Sequence, residues 1–471
     1  MKEHASHYDS MDRRSFLPAY YSSLIARHSS VITRRLLIFW FALSPLASFY
    51  LRYPAERSLI TFDRLILALA AGLILFKWYN QTRSDGLHQS IVATKFEITW
   101  LLLAVVAVLS ASGMSNNFGT AAKTAIDAFL LPLLVFRLAR YHLDLGDERR
   151  LLLIAAMFLG FAFFITGAYE MVTGANLFAY QGSAIVREGE IRVNGPFSSD
   201  SSYAGISLLI TLFLLAAPKI LRVKMDGSAQ FIYLCSLGAA LASCLLPVFR
   251  TIALALALCW AGFEVLKRWG RESKADSKFN ASEKMPLKSG NALILAGVFL
   301  IAILTCGVIF ISLLSADRLT SFYNVYGRLA TWTAAVKIVA ENLTTGVGLN
   351  NYRDYIDLKY QTADQLEDAV GEIRAARSPH SNLLWIAAEL GICGLALYLA
   401  ANVFIFLPGY RMLRNSRTAQ QRIASACYLA LAAAYTMVGL TLTSGAYSDL
   451  NLYFFFLLGL LSREARYRTE S

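Results

Sequence analysis

LLLIAAMFLGFAFFITGAYEMVT, residues 151–173, carries one charge in its whole length, at Glu170. As a helix it would extend about 34 Å, enough to cross the roughly 30 Å hydrocarbon core of a bilayer. The same reading applies at about 36–51, 59–78, 96–113, 119–138, 202–217, 230–247, 249–266, 291–314, 381–406, 423–443 and 447–461. That makes twelve candidate spans. Several are short for a crossing, and partly re-entrant segments are expected among those.

The composition agrees. Of 471 residues 56% are apolar and 16% charged, with a mean hydropathy of +0.48; soluble domains carry about a quarter charged residues. A disordered chain is excluded by the same figures. Cys235, Cys244, Cys259, Cys306, Cys393 and Cys427 all lie in apolar runs without CxxC spacing. They read as buried small hydrophobes rather than a disulfide framework or a zinc site.

Residues 1–35 are polar and include Arg13, Arg14, Arg27, Arg34 and Arg35. No apolar core with a small-residue cleavage site follows them, so the first span is expected to stay as an anchor. With the N-terminus in the cytoplasm, cytoplasmic stretches hold 30 of the 44 Lys and Arg. The short loops carry this bias, which sets orientation and places both termini inside. It also accounts for the net charge of +12. Lys267–Lys288 reads as a solvated linker, and no basic domain suggests nucleic acid.

The expected organisation is therefore all-α: a cytoplasmic tail (1–35), nine spans (36–314), a large, mostly helical outer loop (315–380), three spans (381–461) and a cytoplasmic tail (462–471). Within the loop, Leu329, Trp332, Ala335, Val336 and Val339 recur at helical spacing and should pack on the membrane domain. Gly346 and Gly348 break that pattern, and Asp364–Arg377 reads as a polar helix. Gly174–Ser201 is a second long outer segment. No internal repeat suggests an inverted-repeat transporter.

Nucleotide-phosphate loops, HExxH and GxSxG are absent. What stands out is Arg192, Arg250, Arg328 and His380, all at the outer boundary. Arginine grips phosphate oxygens with a permanently charged fork, and histidine is the side chain best suited to take a proton near neutral pH. Taken singly, each arginine also reads as an interfacial anchor, and His380 as a cap after Pro379. Asp354, Asp357 and Glu341 read as a solvated face. Asp63, Arg64, Lys123 and Asp127 fall within spans, either as buried structural pairs or as part of a headgroup path.

Residues 380–394, HSNLLWIAAELGICG, resemble the motif of bacterial O-antigen ligases and the related lipid-linked polysaccharide polymerases; His380, Ser381, Gly391 and Gly394 match. Tyr-Gly-Arg328 with Trp332, then Gly346-Val-Gly348, resembles that family's pattern upstream, and Arg192-Val-Asn-Gly-Pro-Phe its shorter motif. Phe249-Arg250 departs from the family's frequent Ser-Arg. The resemblance covers about 190–460.

It implies a multi-pass protein of the bacterial inner membrane with its active site facing the periplasm. The implied reaction is inverting glycosyl transfer, independent of metal and cofactor, from an undecaprenyl-diphosphate-linked glycan. Arg192, Arg250 and Arg328 would hold the diphosphate, with Arg328 and His380 in the catalytic roles and His380 as base. The acceptor would be a further glycan unit, in a polymerase for surface polysaccharide or exopolysaccharide, or lipid A-core, in a ligase. The run Gly-Pro-Phe-Ser-Ser-Asp-Ser-Ser-Tyr (195–203) tilts the choice to polymerase. A flippase and a chain-length regulator would be partners. A twelve-span transporter or flippase is the rival reading; the asymmetric long loop and the boundary arginines count against it.

Overall fold

The computed structural model describes residues 30–46, 52–53, 60–85, 93–143, 148–178, 186–187, 190–191, 193–197, 199–247, 249–268, 323–360, 379–443, 445 and 447–464. These residues are helical apart from turns and two short antiparallel ladders. The ladders pair β1 (Arg52–Tyr53) with β2 (Ile60–Thr61), and β3 (Val186–Arg187) with β4 (Glu190–Ile191). The helices are α1 (30–46), α2 (Phe62–Asp85), α3 (Lys95–Met114), α4 (Phe118–Ala125), α5 (Leu131–Arg137), α6 (Arg149–Thr173), α7 (Asp200–Leu221), α8 (Gly227–Leu245) and α9 (Arg250–Arg268). They continue as α10 (Tyr323–Glu341), α11 (Tyr352–Tyr360), α12 (Asn382–Arg414), α13 (Ala419–Thr441) and α14 (Ser448–Glu464). One-turn π-helices, Ile126–Leu130 and Leu138–His142, flank α5 and run it on from α4.

Eleven of the twelve expected segments coincide with helices; the ninth, 291–314, lies outside the described residues. Among the described residues six helices, α3, α6, α7, α8, α12 and α13, are long and apolar enough to cross a membrane. This is a membrane protein.

Local sequence sets several helix ends. Thr94 and Glu97 cap α3 reciprocally: the Glu97 amide donates to Thr94 Oγ1 (3.2 Å) and the Thr94 amide to Glu97 Oε2 (2.8 Å). Such a box satisfies two amides that the first turn leaves open. Asp226 caps α8, taking the Ala229 amide at 2.8 Å; this hydrogen bond, then one from Ser228, holds its carboxyl below the usual range.

Two helices are buried almost all round, α7 and α14, and they form the centre of the bundle. A helix apolar on every face belongs in such a place. Around α14 the rings of Trp40, Phe41, Trp100, Tyr435, Phe454, Phe455 and Phe456 interlock, with Tyr435 and Phe454 stacked at 3.9 Å. Small residues let the backbones approach, as is usual between helices in lipid. A Cβ on Gly160 of α6 would stand 2.8 Å from the Ser236 carbonyl of α8. Cys244, Cys259 and Cys427 are buried as expected; Cys393 is exposed on the outer face of α12.

The face of α10 matches expectation in part: Ala335 is buried, and Trp332 and Val339 are half-buried. Leu329 and Val336 are exposed, while Thr331, Ala334, Ala335 and Ile338 are buried. Through Ala335 and Ile338 this helix packs against Ala388 of α12 and against Tyr352 and Ile356 of α11. The polar helix expected over 364–377 lies outside the described residues.

Candidate functional site

The site begins with a break in α12. Gly391 has φ +64° and ψ −164°, outside the helical region, so α12 consists of two limbs, 382–390 and 392–414. In a continuous helix residues 382 and 398 would be about 24 Å apart. Here Asn382 Nδ2 donates to Tyr398 Oη at 3.1 Å. The first limb therefore bends back sharply against the second. Asn382 lies at the depth of Tyr398, roughly 9 Å along the second limb. The expected tenth span, 381–406, is corrected accordingly: the crossing limb begins after Gly391, and the residues before it form a short re-entrant helix.

The outer segment 343–352 fills the break. The Val347 amide donates to the Ala388 carbonyl (2.8 Å), Gly348 to Glu389 (3.1 Å) and Ile392 to Leu343 (2.8 Å). These bonds satisfy backbone groups that a broken helix leaves open. Both Gly346 and Gly391 have positive φ, and a Cβ on either would collide with the other strand's backbone. The Glu389 carboxylate, buried, accepts the amides of Asn350 (2.9 Å) and Tyr352 (3.4 Å). Asn351 ties the segment to the end of α3, donating to the Met114 carbonyl (2.8 Å) and accepting the Asn116 amide (3.1 Å).

His380 stands just before the re-entrant helix with φ +47°. Left-handed backbone at a residue with a Cβ costs on the order of 1 kcal/mol and marks a position that its surroundings hold in place. The helix's N-cap is Ser381, whose side chain makes no capping hydrogen bond; the cap position is thus not His380's. Asn382, buried, accepts the Gly445 amide at 2.7 Å and so ties this end to the loop before α14.

Arg250, exposed, opens α9. Arg328 is half-buried near the start of α10. Burial, then repulsion from Arg250, holds the Arg328 guanidinium below its ordinary pKa, so the two cations are neighbours. The fold brings Arg328 towards His380 as well. The helices bearing them meet at Ala335, Ile338 and Ala388, with Leu343 and Ile392 bonded beyond that contact. Running both helices back from it leads about 15 Å to Arg328 and about 12 Å to His380 in the same direction.

Arg192 lies outside the described residues, but the turn after it is held tightly. The Glu170 carboxylate, fully buried, accepts the amides of Asn194 (2.7 Å) and Gly195 (2.9 Å), and Asn176 Nδ2. Gly195 has φ +55° and lies against the ring of Tyr203, whose hydroxyl donates to the Phe163 carbonyl at 2.9 Å.

A family model described as O-antigen ligase matches residues 198–399. That stretch includes Arg250, Arg328, His380, Gly391 and Gly394. Over that stretch, a little under half of its length, the chain is similar to the O-antigen ligase family. A search of curated proteins found no match to the chain.

Within this O-antigen ligase segment and beside it, the remaining sequence candidates separate clearly. Glu341 and Asp354 are exposed, and Glu341 accepts the Tyr355 hydroxyl (3.1 Å). The intramembrane charges pair across helices rather than along them. Arg64 forks both oxygens of Asp127 at 2.7 Å, joining α2 to the first π-turn. Asp63 accepts Trp40 Nε1 at 2.7 Å and the Ser44 hydroxyl, joining α1 to α2. Lys123 is half-buried one turn from Asp127. Among the described residues no three His, Cys, Asp or Glu side chains gather as a metal site.

Sequence reasoning missed Glu170, Glu389 and Asn351. Each serves backbone amides remote in sequence. A visible sign existed for Glu170: it is the single charge of its span.

Proposed function

We propose that the protein transfers a glycan from undecaprenyl diphosphate to an acceptor hydroxyl at the periplasmic face of the bacterial inner membrane. The observation that carries this reading is that Arg250, Arg328 and His380 all fall inside the segment that matches the O-antigen ligase model, with Arg328 half-buried near the start of α10. Two guanidiniums held together at a cost suit a ligand with two adjacent negative phosphates. His380, on strained backbone beside a helix N-terminus, suits a fixed base.

In the proposed reaction His380 takes the acceptor hydroxyl proton. The acceptor oxygen bonds to the anomeric carbon as that carbon's bond to the phosphate oxygen breaks, with inversion. Undecaprenyl diphosphate leaves, its charge held by Arg250, Arg328 and Arg192. Charge stabilisation by preplaced cations is the main catalytic term in this scheme, and no metal step is needed in it.

Two acceptors remain, a second glycan unit or lipid A-core. The run 195–203 tilted the sequence reading to the first, yet its residues serve the fold: Ser199 caps α7, and Ser201 and Ser202 are buried. The description of the matching family favours the second. Purified protein given lipid-linked glycan alone separates them. Lengthened lipid-linked chains identify polymerisation; product that forms only with lipid A-core identifies ligation. His380→Ala should reduce either product about 10²–10⁴-fold. Transfer by neither route, or an unaffected His380→Ala variant, would overturn the proposal.

A further inference from the structure

A cavity of about 230 Å³ lies at the end of the bundle opposite His380. Arg463, which lines it, is the penultimate residue of α14, while the loop entering α14 is bonded to Asn382; the length of α14 separates the two ends. Its polar wall consists of Ser30, Thr33 and Arg34 from α1, Tyr141 and His142 from the second π-turn, and Arg463. No acidic side chain lines it. Glu148 stands outside the lining, 3.7 Å from Arg34 and 3.6 Å from Arg35, one carboxylate between two cations. Arg463 is oriented from behind, donating to the Tyr141 carbonyl at 3.0 Å.

The remaining wall is apolar: Leu73 and Ile74 of α2. Next to them on the same helix, Leu69, Leu75 and Phe76 are more than half exposed. In a membrane protein that surface faces acyl chains. A cationic cavity continuous with an apolar track has the shape of a headgroup site with its tails alongside, and basic pockets between helices take such headgroups.

We infer that this cavity binds the phosphate of an anionic phospholipid whose acyl chains run along α2. Free phosphate shares the chemistry of the headgroup but cannot use the track. This site is separate from the one assigned to glycan transfer and stands whether or not that assignment does.

The test uses the full chain in detergent, titrated with phosphatidylglycerol or phosphatidylethanolamine and read by native mass spectrometry. Phosphatidylglycerol should be retained in preference. Arg34→Gln with Arg463→Gln should weaken it about 30-fold, at about fivefold per arginine, and millimolar inorganic phosphate should not displace it. A photoactivatable phosphatidylglycerol added to the wild-type protein gives a second reading that needs no variant: labelling should concentrate on the peptide containing Leu73. Equal phosphatidylglycerol affinity in variant and wild type would overturn the site, as would labelling spread evenly over the helices. Ready displacement by inorganic phosphate would overturn the lipid as its ligand.

Discussion

Arg250 and Arg328 present a problem that each residue alone does not. Like charges near each other repel, and an anion bound between them offsets that repulsion. Under the proposed mechanism lysine cannot replace the fork. Arg250→Lys, Arg328→Lys and Arg192→Lys should each lose nearly as much transfer as the alanine variants, measured with purified protein at matched expression. Full activity in all three lysine variants would reduce the arginines to interfacial anchors. His380 adds a direction in pH: the base is the neutral imidazole, so the rate should fall on acidification as the ring takes a proton, and chelators should leave it unchanged. At this scale the sequence was legible where chemistry has a residue signature, as in His380, Arg250 and Arg328. It was opaque at Glu389 and Glu170, which accept amides 37 to 39 and 24 to 25 positions away.

Among the elements, the re-entrant limb of α12 matters most. Its hydropathy continues unbroken from 382 into the crossing limb, which is why the sequence reads as one span. What separates the limbs is the conformation of Gly391, and a glycine inside an apolar run is common enough in membrane helices to pass unnoticed. The consequence is measurable. Asn382→Cys combined with Tyr398→Cys should be joined by a short bifunctional thiol crosslinker that spans roughly 10 Å, since the native side chains meet tip to tip; a straight helix would hold them about 24 Å apart and unreacted. Gly391→Ala should lower the detergent melting temperature and transfer together, because its Cβ collides with the Thr344 carbonyl. The face of α10 teaches a related lesson. Periodicity located the helix and part of its packed face, Ala335 and Val339, while Leu329 and Val336, expected to pack, are exposed.

For the whole molecule, hydropathy located helices at eleven of the twelve expected segments, with ends off by up to eight residues, and charge bias supplied an orientation that the fold leaves open. That orientation makes a direct prediction. Reporter fusions after Leu349 should report periplasm, and fusions after Lys278 cytoplasm; the opposite result at either point would reverse the proposed active face. The buried surroundings of α14 have a further consequence, one of timing. Tyr453 donates to the carbonyl of Phe41 at 2.6 Å, a contact between residues 412 positions apart. During synthesis the first helix must wait in the membrane, its aromatic rings uncovered, until the last is inserted. A nascent chain halted before residue 448 would present that open slot to the lipid. Insertion of α14 is then the event that closes the slot around Trp40 and Phe41.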